Sequence, residues 1–230
     1  MTNATVWPAG FRINERAEGP SPEWLAKFKD IPTSWVSDSL GRSVGTMGLR
    51  AYHNRIDLLI AAPAVTVRVR PGDNLMIHKA MEIARPGDVI VVDGGGDLAQ
   101  ALIGGNMQTT AIQKRLAGFV IDGAIRDLVD WANGKMPIWA RGHTHRGPSK
   151  DGPGEINVPV TVGGMVVQPG DLVLGDADGL LALPPSQLPE VWPHVEAQKK
   201  KEAELRAAGA AGTADPERFN KILRAKGCPV

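Results

Sequence analysis

Apolar and polar positions alternate over residues 64–70 (Ala-Val-Thr-Val-Arg-Val-Arg), the period-two pattern of a half-buried strand. Two unbroken apolar runs follow, residues 89–92 and 118–121, each ended by acids and glycines. Runs of this kind read as strands buried on both faces. Residues 137–141 predict a third. Between these runs the spacing turns helical. Pro71-Gly72-Asp73-Asn74 turns the chain into a helix over residues 75–84, with His78 on its second turn. Leu102, Ile103, Met107 and Ile112 also keep an approximate helical spacing, but Gly104 and Gly105 would each cost about 1 kcal/mol inside a helix relative to alanine. The economical reading starts that helix at Asn106 and leaves both glycines in the turn before it. A short helix over residues 128–132 stops near Gly134. Strands alternating with helices predict an α/β protein with a largely parallel, twisted sheet.

The flanks are less regular. Residues 1–20 lack periodicity and predict an arm that lies on its own body or on a neighbouring subunit. Ser21 caps a helix entered through Pro22 and carrying the apolar stripe Trp24, Leu25 and Phe28. Thr33 is the expected cap of a second short helix that runs through Ser39 and ends at Gly41. Asp38, in that helix, reads as a local hydrogen-bonding acid. Residues 142–154 form a long polar loop, and residues 157–183 predict a compact antiparallel meander with Asp176 and Asp178 as turn formers. A helix over residues 185–208 carries the charged run 198–206, a solvated face on spacing alone. The expected partition is an arm (1–20), a catalytic body (21–209) and a C-terminal appendage (210–230).

Composition narrows the class. At 230 residues, 43% hydrophobic and 22% charged, the chain can bury a sizeable core. A net charge of +1 leaves no electrostatic footprint for nucleic acid. The single cysteine, Cys228, excludes an intramolecular disulfide and fits a reducing compartment. No apolar run approaches the roughly 18 residues of a membrane span, and no basic-then-apolar leader opens the sequence. A cytoplasmic protein without a membrane partner is expected.

Candidate chemistry concentrates in residues 93–130. Arg126-Asp127 follows a turn at Asp122-Gly123, at the end of a buried run, where ligands gather in α/β proteins. A loop carboxylate can hold a hard divalent cation, and a neighbouring guanidinium can bind a carboxylate or a developing oxyanion. Asp130, three residues on, falls on the same side of a helical turn. The bland alternative is a short helix capped by Asp127, with Arg126 in a surface ion pair. The amides of Gly105, Asn106 and Met107, at a helix start, would face open space as an anion site. Other chemistries lack their signatures. Asp93-Gly94-Gly95-Gly96-Asp97 has neither the lysine-serine ending of a phosphate loop nor a spaced GxGxxG. There is no Gly-x-Ser-x-Gly elbow. His143 and His145, two residues apart and without a cysteine nearby, make a weak zinc pair.

Pro71-Gly72-Asp73-Asn74, the twenty residues between Gly105 and Arg126, Asn157-Val158-Pro159, Pro169-Gly170-Asp171 and Asp176-Ala177-Asp178-Gly179, in that order, resemble the RraA-like family. The resemblance covers roughly residues 33–209. That family includes metal-dependent 4-hydroxy-4-methyl-2-oxoglutarate/4-carboxy-4-hydroxy-2-oxoadipate aldolases and the regulator of ribonuclease E activity A. It implies a layered α/β/β sandwich with mixed sheets and flanking helices, a trimer or dimer of trimers, and an active site between subunits. By the same resemblance, Asp127 reaches a Mg²⁺ or Mn²⁺ ion and Arg126 contacts substrate. Gly104, Gly105, Asn106 and Met107 cradle the carboxylate of a 2-keto acid, and Glu202 enters a neighbour's site. One position departs from the pattern. The best-known aldolases carry an aspartate where this chain has Gly105, while a second branch has glycine there and an acid three residues after the metal-binding aspartate. Asp130 matches that acid and is read as supplying the missing charge. Members of that branch also resemble oxaloacetate decarboxylases. The implied function is a class II pyruvate aldolase with oxaloacetate decarboxylase activity. The alternatives are a non-catalytic regulator of a ribonuclease or helicase, or a lyase on another keto or sugar acid. His78, His143 and Trp131 are candidates for a distal pocket.

Overall fold

The computed structural model describes residues 6–230. Its elements begin with β1 (Phe11–Ile13), α1 (Pro22–Phe28), α2 (Thr33–Ser39), β2 (Arg50–Ala51) and β3 (Ile60–Val69). The centre follows as α3 (Leu75–Ile83), β4 (Val89–Asp93), β5 (Ala101–Ile103), α4 (Gly105–Gln113), β6 (Gly118–Ile125), α5 (Leu128–Asn133) and β7 (Ile138–His143). The last part comprises β8 (Gly154–Ile156), β9 (Val160–Val162), β10 (Met165–Val167), β11 (Leu172–Gly175), β12 (Leu180–Leu183), α6 (Leu188–Ala210) and α7 (Arg218–Ala225).

The main sheet has the order β1-β8-β3-β4-β6-β7-β2, and its central four strands are parallel. Both faces of that centre are covered, which is why β4 and β6 read as unbroken apolar runs. Ile90, Val92, Phe119 and Ile121 face one way and pack with Ile77 and Ala80 of α3, Met107 and Ala111 of α4, and Trp131 of α5. Val89, Val91 and Val120 face the other way, against Val160, Val162 and Val167 of the β9–β10 hairpin. A third core joins β11 and β12 to α1, α2 and α6 through Phe28, Val36, Leu174, Leu181 and Leu188. Helices on one face and a hairpin on the other make the expected α/β/β layering, and the sheet is mixed.

Several local expectations are corrected by tertiary contacts. β3 is buried on both faces from Ala64 to Val67, not half-buried, because α3 packs against Val65 and Val67 on one face and β9 packs against Ala64 on the other. Residues 157–183 form two hairpins in different sheets instead of one meander. Residues 101–103, read as part of a helical spacing, are the short strand β5 beside β6. Thr33 is the first helical residue of α2 and caps nothing with its own side chain. Asp176 does that work from 143 residues away, accepting from the Thr33 amide and hydroxyl at 2.8 Å each. The same carboxylate accepts from the amides of Asp178 and Gly179, so its turn-forming role holds. Residues 1–5 of the expected arm lie outside the described residues. The rest lies on the chain's own body: β1 pairs in parallel with β8, Asn14 and Asn157 exchange hydrogen bonds, and Arg16 grips the buried Asp88. No helix among the described residues is long and apolar enough to cross a membrane.

Candidate active site

β6 stays in the sheet through Ile125, past the turn expected at Asp122. Asp122 is tolerated inside a buried strand because Arg141 of β7 holds it with two hydrogen bonds, 2.5 and 3.1 Å, and the Gly163 amide adds a third at 2.8 Å. It is therefore structural. Asp93 is spent likewise on the amides of Gly95 and Thr161. The chain turns instead at Asp127, whose φ of 59° and ψ of 49° lie in the left-handed region. For a residue other than glycine that conformation costs on the order of 1 kcal/mol and needs a surrounding structure to hold it. The Arg126 amide is tied to Ile103 O (3.0 Å), and Arg126 O accepts from the Trp131 indole (2.8 Å). Trp131 is fully buried, edge-on to Phe119 at 5.9 Å. It anchors the turn from beneath and does not face a distal pocket.

Two carboxylates converge on the glycine turn before α4. Asp127 sits at the N-cap position of α5 but makes no capping bond there. Its Oδ2 accepts from the Gly105 amide at 2.9 Å. A Cβ at Gly104 would stand 2.3 Å from that same oxygen, and a Cβ at Gly105 would stand 2.0 Å from Asp130 Oδ2. The close approach of the acids, not an unusual φ, is what glycine accommodates at both positions. Arg126 Nε lies 3.6 Å from Asp127 Oδ2, with the two side chains 41% and 42% exposed. An ion pair so long and so wet contributes little, which leaves the guanidinium available to a ligand. Of the three amides expected to be open, Gly105 is held by Asp127 and Met107 bonds back to Gly104 O. The Asn106 amide, at the positive end of α4, is left for an anion.

Arg126 stands between two clefts. One, about 160 Å³, is lined by Asn74, His78, Gly104, Asn106, Met107 and Lys150, among others. The second, about 300 Å³, is lined by Asp127, Leu128, His143, Thr144 and His145. Asn74 and Lys150 carry no sequence signal of function. Asn74 is buried, its amide donates to Leu102 O at 2.8 Å, and its Oδ1 has no partner. Lys150 is placed by Asp73, which binds Ser149 Oγ and the Asp151 amide at 2.7 Å each. Burial alone would raise the Asp73 carboxyl, but these donors and the Leu75 and Gly152 amides outweigh it and hold it below the usual value. Burial, and then the Lys150 charge, push His78 below its ordinary value, so it faces the cleft as a neutral ring at neutral pH.

Glu202 is not part of this constellation within its own chain. It lies on α6, accepts from Gln198 at 3.1 Å, and lines neither cleft. Asp38 is bound to the same Gln198 and to Arg42, a local acid as expected. Among the described residues, no three His, Cys, Asp or Glu side chains are grouped so as to hold a metal ion by themselves.

Residues 33–182 match the model of the RraA-like family, described as Aldolase/RraA. A Halalkalibacterium halodurans protein provisionally named 4-hydroxy-4-methyl-2-oxoglutarate aldolase is 41% identical over 182 residues, 79% of this chain and 85% of that one. A Thermus thermophilus protein named 4-hydroxy-4-methyl-2-oxoglutarate aldolase is 42% identical over 112 residues, 49% of this chain and 68% of that one. Among solved structures, Streptomyces coelicolor RraAS2 superposes with a TM-score of 0.74 at 27% identity, covering 83% of this chain and 98% of that one. It is described as an unusual member of the RNase ES inhibitor RraA protein family.

Proposed function

Because this chain belongs to the RraA-like family, we propose that it is a carbon–carbon lyase of the class II aldolase type. Its substrate is a 2-keto acid like 4-hydroxy-4-methyl-2-oxoglutarate, cleaved to release pyruvate, and the same site decarboxylates oxaloacetate. The observation that carries this reading is the convergence of Asp127, Asp130 and Arg126 on the turn at Gly104-Gly105. Relatives named as aldolases point the same way.

The donor set suits Mg²⁺ or Mn²⁺, which favour hard oxygen ligands and keep several waters. Asp127 accepts one hydrogen bond, at Oδ2, which leaves Oδ1 for an ion. When bound, the ion supplies Lewis-acid polarisation of the keto acid's carboxylate and ketone oxygens. The turn from Gly104 through Gly105 and Asn106 to Met107 receives the carboxylate, with the Asn106 amide and the α4 dipole favouring the negative charge. Arg126 lies beside the ketone oxygen and stabilises the enolate charge that develops as the C–C bond breaks. Asp130, together with Glu202 of a neighbouring subunit, holds a water that takes the C4 hydroxyl proton and later returns one to the enolate carbon. Oxaloacetate decarboxylation forms the same enolate and needs no base at an alcohol. Lys150 adds a second cation to the first cleft beside Arg126.

This reading needs a homo-oligomer, a trimer or dimer of trimers, because Glu202 is remote from its own chain's clefts. It places the catalytic body in residues 21–209 of a cytoplasmic protein without nucleic-acid or membrane partners. A non-catalytic regulator is the second reading, favoured by the description of the Streptomyces relative. Such a role has no use for the paired carboxylates. Pyruvate release from 4-hydroxy-4-methyl-2-oxoglutarate and from oxaloacetate, with Mg²⁺ or Mn²⁺ and with EDTA, separates the two. Metal-dependent release supports the lyase, and the ratio of rates ranks the substrates. Silence on both, from a folded oligomer with metal, would move the assignment to another keto or sugar acid or to the regulator.

A further inference from the structure

His143 is left without a role by the proposed reaction, yet its surroundings are specific. It closes β7 directly beside Ile125 of β6, one residue before Arg126, and lines the second cleft with Asp127. Its Nδ1 lies 3.3 Å from Tyr52 Oη, and the two rings meet edge to face with centroids 5.8 Å apart. Tyr52 is held in turn by Arg50, whose Nε donates to Oη at 2.9 Å and whose guanidinium stands 4.9 Å from the ring centroid. The backbone sets this stack, since β2 pairs antiparallel with β7 and the Tyr52 amide donates to Ile138 O.

Two partners on the Tyr52 hydroxyl bear on which nitrogen of His143 carries hydrogen. Arginine donates and never accepts, so Arg50 fills an acceptor position on Oη and leaves the phenol hydrogen to find another acceptor. His143 Nδ1 is the acceptor within reach. A neutral ring whose Nδ1 accepts carries its hydrogen on Nε2. We propose that the Arg50–Tyr52 pair locks His143 in its Nε2–H form, and that this N–H is a specificity-determining donor to a carboxylate or carbonyl oxygen on the distal half of the 2-keto acid. The identity of that ligand rests on the lyase reading. An N–H donor suits the place: beside Arg126, which already supplies a cation to this cleft, it selects an oxygen acceptor by direction.

The test uses the full-length protein and its Tyr52→Phe, His143→Gln and His143→Leu variants. Nitrogen-15 NMR of the His143 ring reads the tautomer, and calorimetric titration with 2-oxoglutarate in Mg²⁺ reads binding of a dicarboxylic keto acid without requiring turnover. The wild-type ring is expected to be unprotonated at Nδ1, and the preference to relax in Tyr52→Phe. His143→Leu should weaken 2-oxoglutarate binding about tenfold or more, as loss of a hydrogen bond to a charged acceptor does. His143→Gln, whose amide NH₂ reaches the Nε2 position, should restore binding to within about threefold on the same scale. A leucine variant that binds like wild type overturns the proposal. So does a wild-type ring protonated at Nδ1, or a wild-type protein that does not bind 2-oxoglutarate. Failure of the lyase reading looks different: the wild type binds 2-oxoglutarate but releases no pyruvate from any keto acid offered.

Discussion

Gly105→Ala separates the fold from the chemistry at this site. The added methyl would stand 2.0 Å from Asp130 Oδ2, where ordinary contact begins at 3.4 Å, so the carboxylate must withdraw by about 1.4 Å. Asp130 is exposed and can swing into solvent. The backbone at residue 105 is not left-handed, so alanine is not strained there. Alanine is also the better helix former by up to about 1 kcal/mol. Stability should thus be unchanged or slightly raised. Catalysis should not survive as well, because displacing a positioned group by about 1 Å can cost on the order of a hundredfold in rate. The assay is steady-state pyruvate release by Gly105→Ala, Asp130→Ala and the double variant, alongside thermal melts. Each single change is expected to lower kcat by about ten- to a hundredfold, and the double variant should be no worse than Asp130→Ala, since both act through one carboxylate. Full activity in Gly105→Ala, or strictly additive losses, would refute the coupling.

Trp131→Phe keeps the buried ring but strands Arg126 O without its 2.8 Å partner. It should cost about 1–2 kcal/mol in urea unfolding and also lower kcat, whereas a loss of stability alone would show that the turn is held by other contacts. Asp73→Asn should destabilise by about 1–3 kcal/mol, because an amide cannot accept from all the donors that the carboxylate satisfies. As the folded Asp73 value is depressed, its stabilisation is complete above the unfolded value of 3.8 and is lost as pH falls through the folded value. The gap between wild type and variant should stay flat at neutral pH and close in acid. A gap that widens in acid would be inconsistent with that shift. Burial, aided by Arg55 and partly opposed by the bond to Ile138, pushes His53 below 6.5. Below 6.5 the unfolded chain therefore takes up a proton that the folded chain refuses, and stability should fall as pH drops from there. An unchanged acid limb in His53→Gln would contradict this assignment.

What could be read from the chain and what could not divide along sequence distance. The apolar runs of β4 and β6 and the turn into α3 rest on neighbouring residues, and each formed as expected. The extension of β6 through Asp122 depends on Arg141, nineteen residues away, and the cap of α2 on Asp176, 143 residues away. Local propensity cannot register either contact. In the site, Arg126 and Asp127 were legible because a charged pair at the end of a buried strand is a local pattern. The grip of Asp127 on the Gly105 amide spans 22 residues. Asn74 and Lys150 come from separate loops joined through Asp73. Glu202, on α6, lines neither cleft, so its own chain gives it no place in the site.

In the proposed lyase, Asp127 holds the divalent ion on which C–C cleavage depends. The most direct measurement pairs Mn²⁺ titration with pyruvate release from 4-hydroxy-4-methyl-2-oxoglutarate and oxaloacetate, for wild type and Asp127→Ala. Wild type should show metal-dependent release that EDTA abolishes, with both metal binding and release weakened at least about a hundredfold in the variant. An Asp127→Ala protein that binds Mn²⁺ and releases pyruvate like wild type would contradict it.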